Sequence, residues 1–267
     1  MGYPSDLTDA EFALLLPLLN FLGKSGPKFK NLRKTINGLR YQARTGCQWR
    51  YIPKEYGKWS ALRSQFHRWS KKGTWATVLA ALQPQARCTK GRKNLFASMI
   101  IIDPALLRGA SNGGKTFHNK GGPHGATNGT KNVIAVDVTG LPLAAVAVPA
   151  NTSDGACAQL LLEHMKNLGL ADSLLCVKID KGIHAATAAR LGKMFGVKIE
   201  IYGNKKLKGP KGPKGVFVPV AQAWKVEAAH ATLGRYRRIA KSYENTTMSA
   251  TAWLQMAAVD MVLKTLT

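Results

Sequence analysis

The sequence predicts an α/β chain in two parts: an all-helical stretch over the first ninety residues, then a mixed sheet flanked by helices. Three observations carry this expectation. Up to about residue 82, apolar side chains recur at helical spacing between caps and glycine stops. From Leu95 onward, short apolar runs of strand length alternate with helical segments. Their order (strand, hairpin, helix, strand, helix, strand) is that of a central mixed sheet with helices packed on it. The expected division is 1–90 for the helical part and 95–267 for the sheet part, which includes a basic loop at 203–215 and two closing helices.

In the helical part, Thr8 and Glu11 have the spacing of a capping box that opens a helix over residues 8–22, with Gly23 beyond its end. The apolar run 12–22 is too short for a membrane span, contains Pro17 and Asn20, and lacks the basic flank of a signal peptide. Further helices are expected over 32–44, stopped by Gly46, over 60–72, stopped by Gly73, and over 74–82, before Pro84. On the third of these four, Leu62, Phe66 and Trp69 make the inner stripe, while Arg63, His67, Arg68, Lys71 and Lys72 lie mostly off it. A helix with an aromatic inner face and a basic outer face fits the reading helix of a helix-turn-helix DNA-binding unit, although a merely solvated face gives the same pattern. Residues 87–94 read as a linker.

In the sheet part, residues 99–102 form a fully apolar run expected of a central strand. Residues 131–148 read as a hairpin turning at Thr139-Gly140. A helix over 154–167, a strand over 174–179, a helix over 185–195 and a strand over 197–202 follow. Gly and Pro keep 203–215 out of regular structure, and Lys205, Lys206, Lys208, Lys211 and Lys214 make it a cationic arm suited to phosphate contact. Helices over 225–243 and 249–266 close the chain.

The charge balance narrows the function. Thirty-nine Lys and Arg oppose 14 Asp and Glu, a formal net charge of +25. A chain so charged repels itself and takes a polyanion as partner, nucleic acid before acidic lipid. Cys47, Cys88, Cys157 and Cys176 are scattered, with no C-x-x-C pair, which excludes a disulfide framework or zinc ribbon and points to a reducing cytoplasm.

With so few acids, the place of each one matters. Asp103 follows the 99–102 run and Asp180 ends the 174–179 strand. Side chains at the ends of neighbouring central strands converge at one sheet edge. Two carboxylates meeting there repel unless a cation separates them, and a pair of divalent ions would both relieve the repulsion and clamp a phosphate. Hard oxygen donors suit Mg²⁺, with Mn²⁺ as a substitute. Glu227 is the candidate third acid, because helical spacing sets it off the apolar face of its helix, together with His230, Arg238 and Lys241. Asp137 reads instead as a hairpin residue, Asp154 as a helix-start residue, and Glu163 and Asp172 as surface positions.

At these residues the chain resembles the bacterial insertion-sequence transposases with an RNase H-like DDE core, in the group typified by insertion sequence five. The opening Tyr3-Pro4-Ser5-Asp6-Leu7-Thr8-Asp9, the signature Arg44-Thr45-Gly46-Cys47-Gln48-Trp49-Arg50 with Ile52-Pro53, then Trp59-Ser60, Phe66-His67-Arg68-Trp69 and Gly73-Thr74-Trp75 occur in the family's order. Ile102-Asp103, Asp180-Lys181-Gly182 and Val226-Glu227 with Leu233-Gly234-Arg235-Tyr236-Arg237-Arg238 resemble its three catalytic segments. Pro104, Ile183, Ala223 and Ala228 depart from the family pattern, the two alanines standing where arginines usually flank the glutamate; Lys225 offers part of that charge.

The resemblance implies an RNase H-like fold in which Asp103, Asp180 and Glu227 are catalytic and hold two Mg²⁺ ions. It also implies DNA contacts from Arg63, His67, Arg68, Lys71, the lysines of the arm, Lys225, Arg235, Arg238 and Lys241. The partner would be double-stranded DNA, both transposon ends and target, with at least a homodimer assembled on it at the bacterial nucleoid and no membrane role. Two rivals remain open: a catalytically inactive DNA-binding relative, and a basic RNA-binding protein.

Overall fold

The computed structural model describes residues 2–21, 31–110, 118–119, 127–202 and 224–267. The expected arm at 203–215 with its five lysines, Gly23 and Ala223 lie outside them.

Four helices come first: α1 (Asp9–Phe21), α2 (Leu32–Thr45), α3 (Trp59–Lys71) and α4 (Thr74–Thr89). The capping box forms as read, Thr8 N donating to Glu11 Oε2 at 3.0 Å and Glu11 N to Thr8 Oγ1 at 3.1 Å. Gly46 closes α2 at φ 69°, a left-handed cap that suits glycine. Two 3-10 turns, Trp49–Tyr51 and Lys54–Tyr56, join α2 to α3. The fourth helix runs well past its expected end at 82 and straight through Pro84. Its last turns are held from the side: buried Arg87 ion-pairs with Asp137, which is fully buried, and donates to the Asn94 carbonyl at 3.0 Å. The expected linker at 87–94 therefore begins as a packed helix end.

The sheet contains β1 (Met99–Arg108), β3 (Thr127–Asp137), β4 (Pro142–Pro149), β5 (Cys176–Asp180) and β6 (Lys198–Tyr202), in the spatial order β4-β3-β1-β5-β6. A short β2 (His118–Asn119) pairs with the start of β3. The first three strands in that order run antiparallel, and β5 and β6 join β1 in parallel. This is the mixed topology expected of an RNase H-like core. α5 (Asp154–Asn167) and α6 (Ala185–Phe195) supply the crossovers.

Alternation divides the sheet residues between two cores. Ile100, Ile102, Val177 and Ile179 face α5 and α6; Ile101, Ile134 and Val136 face the helical layer. That second core also contains α7 (Trp224–Leu233), α8 (Arg237–Ala240) and α9 (Thr247–Leu266). The fully buried Trp253 of α9 stacks on Phe66 of α3 at 4.1 Å and meets Trp49 at 5.9 Å, so the N-terminal helices share a core with the C-terminal ones. Polar ties repeat the message: Asp260 of α9 pairs with Arg40 at 2.5 Å and Arg44 at 2.8 Å, both on α2. The outer edge of β4 is covered rather than exposed. Gln255 donates to the Ala145 carbonyl at 2.9 Å, Gln83 to that of Pro142 at 2.8 Å, and Thr251 Oγ1 accepts from Ala147 N at 2.9 Å. Side chains thus occupy the backbone groups through which an open edge would aggregate.

One expected helix divides. Residues 225–243 are interrupted at Gly234, and α7 and α8 are separate. Glycine is a poor helix former, and Tyr236 is pinned by Asp260 and by Arg44, whose guanidinium lies 3.7 Å from its ring centroid. The continuous face of Glu227, His230, Arg238 and Lys241 expected from helical spacing is therefore not present.

Candidate active site

Asp103 does not end its strand. β1 continues to Arg108 because β3 keeps pairing with it as far as Gly129, whereas the parallel partner β5 stops one residue short of Asp103, at the Ile102–Ile179 pair. The next residues in step are Asp103 and Asp180, each at the point where the β1–β5 ladder ends. Pro104 sits just past this point, where the missing N–H has no β5 partner to disappoint. Both aspartates have the parity opposite to Ile102 and Ile179, which turns them toward the α7 layer.

α7 crosses this end of the sheet on Val226, Ala229 and Leu233, all buried. Glu227, on its other side, is exposed. One turn later His230 reaches β1, with Nε2 3.1 Å from the Asp103 carbonyl oxygen and 3.5 Å from its carboxylate. Burial, in turn, raises the Asp103 carboxyl above the ordinary aspartate range; His230 opposes the shift, and the negative charges of Asp180, Glu227 and Asp154 add to it. Tyr202, in register with Asp180 at the end of β6, reports the same field: its phenol is raised first by burial, then by Asp103, Asp180 and Glu227. All three acids named from the sequence act on one neighbourhood.

Two residues there escaped sequence reading. Asp154 does open α5, behind Ser153, whose Oγ accepts from Ala156 N at 3.3 Å. It also lines a cavity of about 80 Å³ together with Asp103, Asp180, Pro104 and Ile183. Lys131 holds it, with Nζ 2.8 Å from the Asp154 carboxylate and 2.8 Å from the Thr152 carbonyl. A Cβ on Gly182 would stand 2.8 Å from Asp154 Oδ2, so a larger residue in the turn after Asp180 would have to displace this carboxylate or the turn itself. The signal was available in the hairpin order, which returns the start of α5 to the end of β1. Tyr202 had no signal beyond its place at a strand end. A larger cavity of about 550 Å³ lies between the α3–α4 turn, β4, α5 and α9, and none of the three acids lines it.

Among the described residues no three His, Cys, Asp or Glu side chains stand close enough together to hold a metal ion. The acids share one electrostatic neighbourhood without closing to chelating distance. Their chemistry nonetheless fits a divalent cation: the donors are hard carboxylate oxygens, and mutual repulsion already presses on Asp103.

The cations expected to meet DNA divide into three sets. Arg63, His67, Arg68 and Lys71 are exposed on α3, and Arg235 and Lys241 flank α8 in the open. Two others are engaged within the fold. Arg238 pairs with Glu244 at 2.5 Å and lies over the rings of Tyr243 and Trp253, and Lys225 donates to the Val138 carbonyl, tying α7 to the β3–β4 turn. The arm lysines lie outside the described residues.

Comparison with known proteins decides the family. Residues 7–79 match the family described as "Putative transposase of IS4/5 family", and residues 94–199 match the "Transposase DDE domain". The chain belongs to the DDE transposases of the IS4/5 family. Those two matches cover the helical layer into the first turns of α4 and the sheet as far as the start of β6, with both aspartates. The transposase is also 28% identical, over 100 residues, to "Uncharacterized protein y4sN" of Sinorhizobium fredii, a match spanning 38% of this chain and 72% of that one. No solved structure matches it. No helix among its described residues is long and apolar enough to cross a membrane.

Proposed function

We propose that this transposase binds the terminal inverted repeats of an insertion sequence, cleaves a DNA strand there, and joins the resulting 3′-hydroxyl to target DNA in a Mg²⁺-dependent reaction. The observation that supports the chemistry best is the common field of Asp103, Asp180 and Glu227 at one end of the sheet. Asp103, Asp180 and Glu227 would hold the cations. Bound there, two divalent ions supply activation of the attacking oxygen and stabilisation of the leaving one. Asp103 and Asp180 are set by the strand ladder and contribute fixed charge. Glu227 stands on an exposed helix face and has the rotamer freedom to close on the pair once repulsion is relieved. His230 fixes α7 against Asp103 and so sets where Glu227 starts. No serine or tyrosine nucleophile is required.

In this reading the first ninety residues supply DNA binding, with Arg63, His67, Arg68 and Lys71 of α3 facing the duplex, and residues 95–267 supply catalysis. The lysines at 205–214, with Arg235 and Lys241, add phosphate contacts. Two ends are processed together, so the active species is at least a dimer on DNA.

The test is strand transfer of end-bearing DNA in Mg²⁺, comparing the native protein with Asp103→Ala and Glu227→Gln. Native activity that both substitutions abolish supports the reading. Equal inertness of native and variant proteins, with DNA binding intact in all, replaces it with that of a DNA-binding relative without catalysis.

A further inference from the structure

α8 is seated against the segment that follows α2. A Cβ on Gly46 would stand 3.0 Å from Cβ of Arg237, and Arg44 Nη2 donates to Tyr236 Oη at 2.8 Å. Farther along the same segment, Trp49 packs on Trp253 at 5.9 Å, while Arg238 covers that indole at 5.8 Å. These contacts weld residues 46–51 and 235–241 into one surface.

Its outward side chains are Arg50, Tyr51, Arg235, Arg237 and Lys241, all exposed. Among the described residues none of its four cations forms an ion pair with a carboxylate. Tyr51 is 72% exposed on a short 3-10 turn, so its ring contributes nothing to the core. The Arg50 guanidinium lies 5.4 Å from the ring of Trp59, the first residue of α3. The surface thus runs from the end of α7, the helix bearing Glu227, to the start of α3. Uncompensated cations around a phenol match a sugar–phosphate backbone: the cations meet phosphates, the ring covers a deoxyribose, and the hydroxyl donates to a phosphate oxygen.

We propose that the surface formed by residues 46–51 and α8, with Arg50, Tyr51 and Arg237 at its centre, is a sequence-independent backbone contact that lays duplex DNA between α3 and the Glu227 helix. It rests on the reading of this protein as a DNA-processing enzyme and adds contact residues to it.

The test uses the full chain and a fluorescein-labelled duplex of about 40 base pairs and arbitrary sequence, titrated by anisotropy at several KCl concentrations. Arg50→Ala combined with Arg237→Ala weakens binding about tenfold and reduces the salt slope by about two. Tyr51→Ala weakens it several-fold and leaves the slope unchanged. Lys166→Ala with Lys193→Ala, exposed on α5 and α6 beyond the sheet, removes the same charge and changes binding little. Arg237→Glu, with an unaltered melting temperature, gives a larger loss than Arg237→Ala. Native binding by the Arg50/Arg237 double variant, or an equal loss in the Lys166/Lys193 control, overturns the proposal. The enzymatic reading fails separately: a native protein that binds through this surface yet leaves end DNA uncut in Mg²⁺ overturns that reading and not the surface. Undiminished binding and cutting by the Arg50/Arg237 variant does the reverse.

Discussion

His230 Nε2 stands 3.1 Å from the carbonyl oxygen of Asp103, joining the helix that carries Glu227 to the strand that carries the first aspartate. A ring nitrogen at hydrogen-bonding distance from a carbonyl acts as the donor, which fixes the imidazole as its Nε2–H form at this contact. The contact adds to the antiparallel ladder, in which Asp103 stands opposite Ile134 of β3.

From this, His230→Ala lets α7 drift on the sheet and lowers the cleavage rate by about ten- to a hundredfold, the scale of a small misplacement of reacting groups. DNA affinity stays unchanged. His230→Gln retains a donor and recovers part of the rate. Single-turnover cleavage beside anisotropy binding measures both; a loss equal in the alanine and glutamine variants contradicts the positioning role.

Gly182 and Asp154 are expected to be coupled. Gly182→Ala places a methyl 2.8 Å from the Asp154 carboxylate and displaces either that group or the turn following Asp180. Cleavage should fall at least tenfold. In an Asp154→Ala background the clash is gone, so the added effect of Gly182→Ala shrinks to less than threefold. A double-mutant cycle on cleavage rate reads this directly. Additive effects would separate the two residues.

Asp260 governs stability rather than chemistry. It is buried, ion-pairs with Arg40 and accepts from Arg44, so Asp260→Ala leaves buried Arg40 with Glu11 and half-buried Arg44 with Tyr236 in place of a shared carboxylate. Removing one partner of a buried pair costs about 3–5 kcal/mol when the other charge is left uncompensated, and the remaining Glu11 contact keeps this loss near the lower end, about 3 kcal/mol. For a chain of this size the melting temperature should drop by on the order of 10 °C. Thermal unfolding by circular dichroism measures it.

Acid should weaken the fold through His164. Burial lowers its pKa below the usual histidine value of 6.5, so the folded chain prefers it neutral. Its contribution is complete above pH 6.5 and is lost as the pH falls below that value, where the unfolded chain takes up the proton first. The native melting temperature should drop more between pH 7.5 and 5.5 than that of His164→Gln. Equal drops contradict the assignment.

Much of this architecture was legible in the sequence because it rests on local rules. The Thr8–Glu11 box, the Gly46 stop and the hairpin at Thr139-Gly140 are fixed by capping and turn chemistry. Asp103 and Asp180 share a face because strand parity is fixed once Ile102 and Ile179 are known to point into the α5–α6 core. What escaped was set by tertiary packing. α4 continues through Pro84 because Arg87 is held by Asp137, fifty residues away. The break at Gly234 follows from the grip of Arg44 and Asp260 on Tyr236, and it diverts Arg238 to Glu244. Asp154 looked like a helix-start residue and is one, yet only the folded chain brings it beside Asp103.

The most direct measurement of the central claim is Mn²⁺ binding by the transposase on end-bearing DNA, followed by electron paramagnetic resonance as loss of the free-ion signal. A pair of carboxylate-held ions predicts about two Mn²⁺ bound per protomer, and fewer in each of Asp103→Asn, Asp180→Asn and Glu227→Gln. Equal Mn²⁺ uptake by the native protein and a variant lacking all three acids would contradict it.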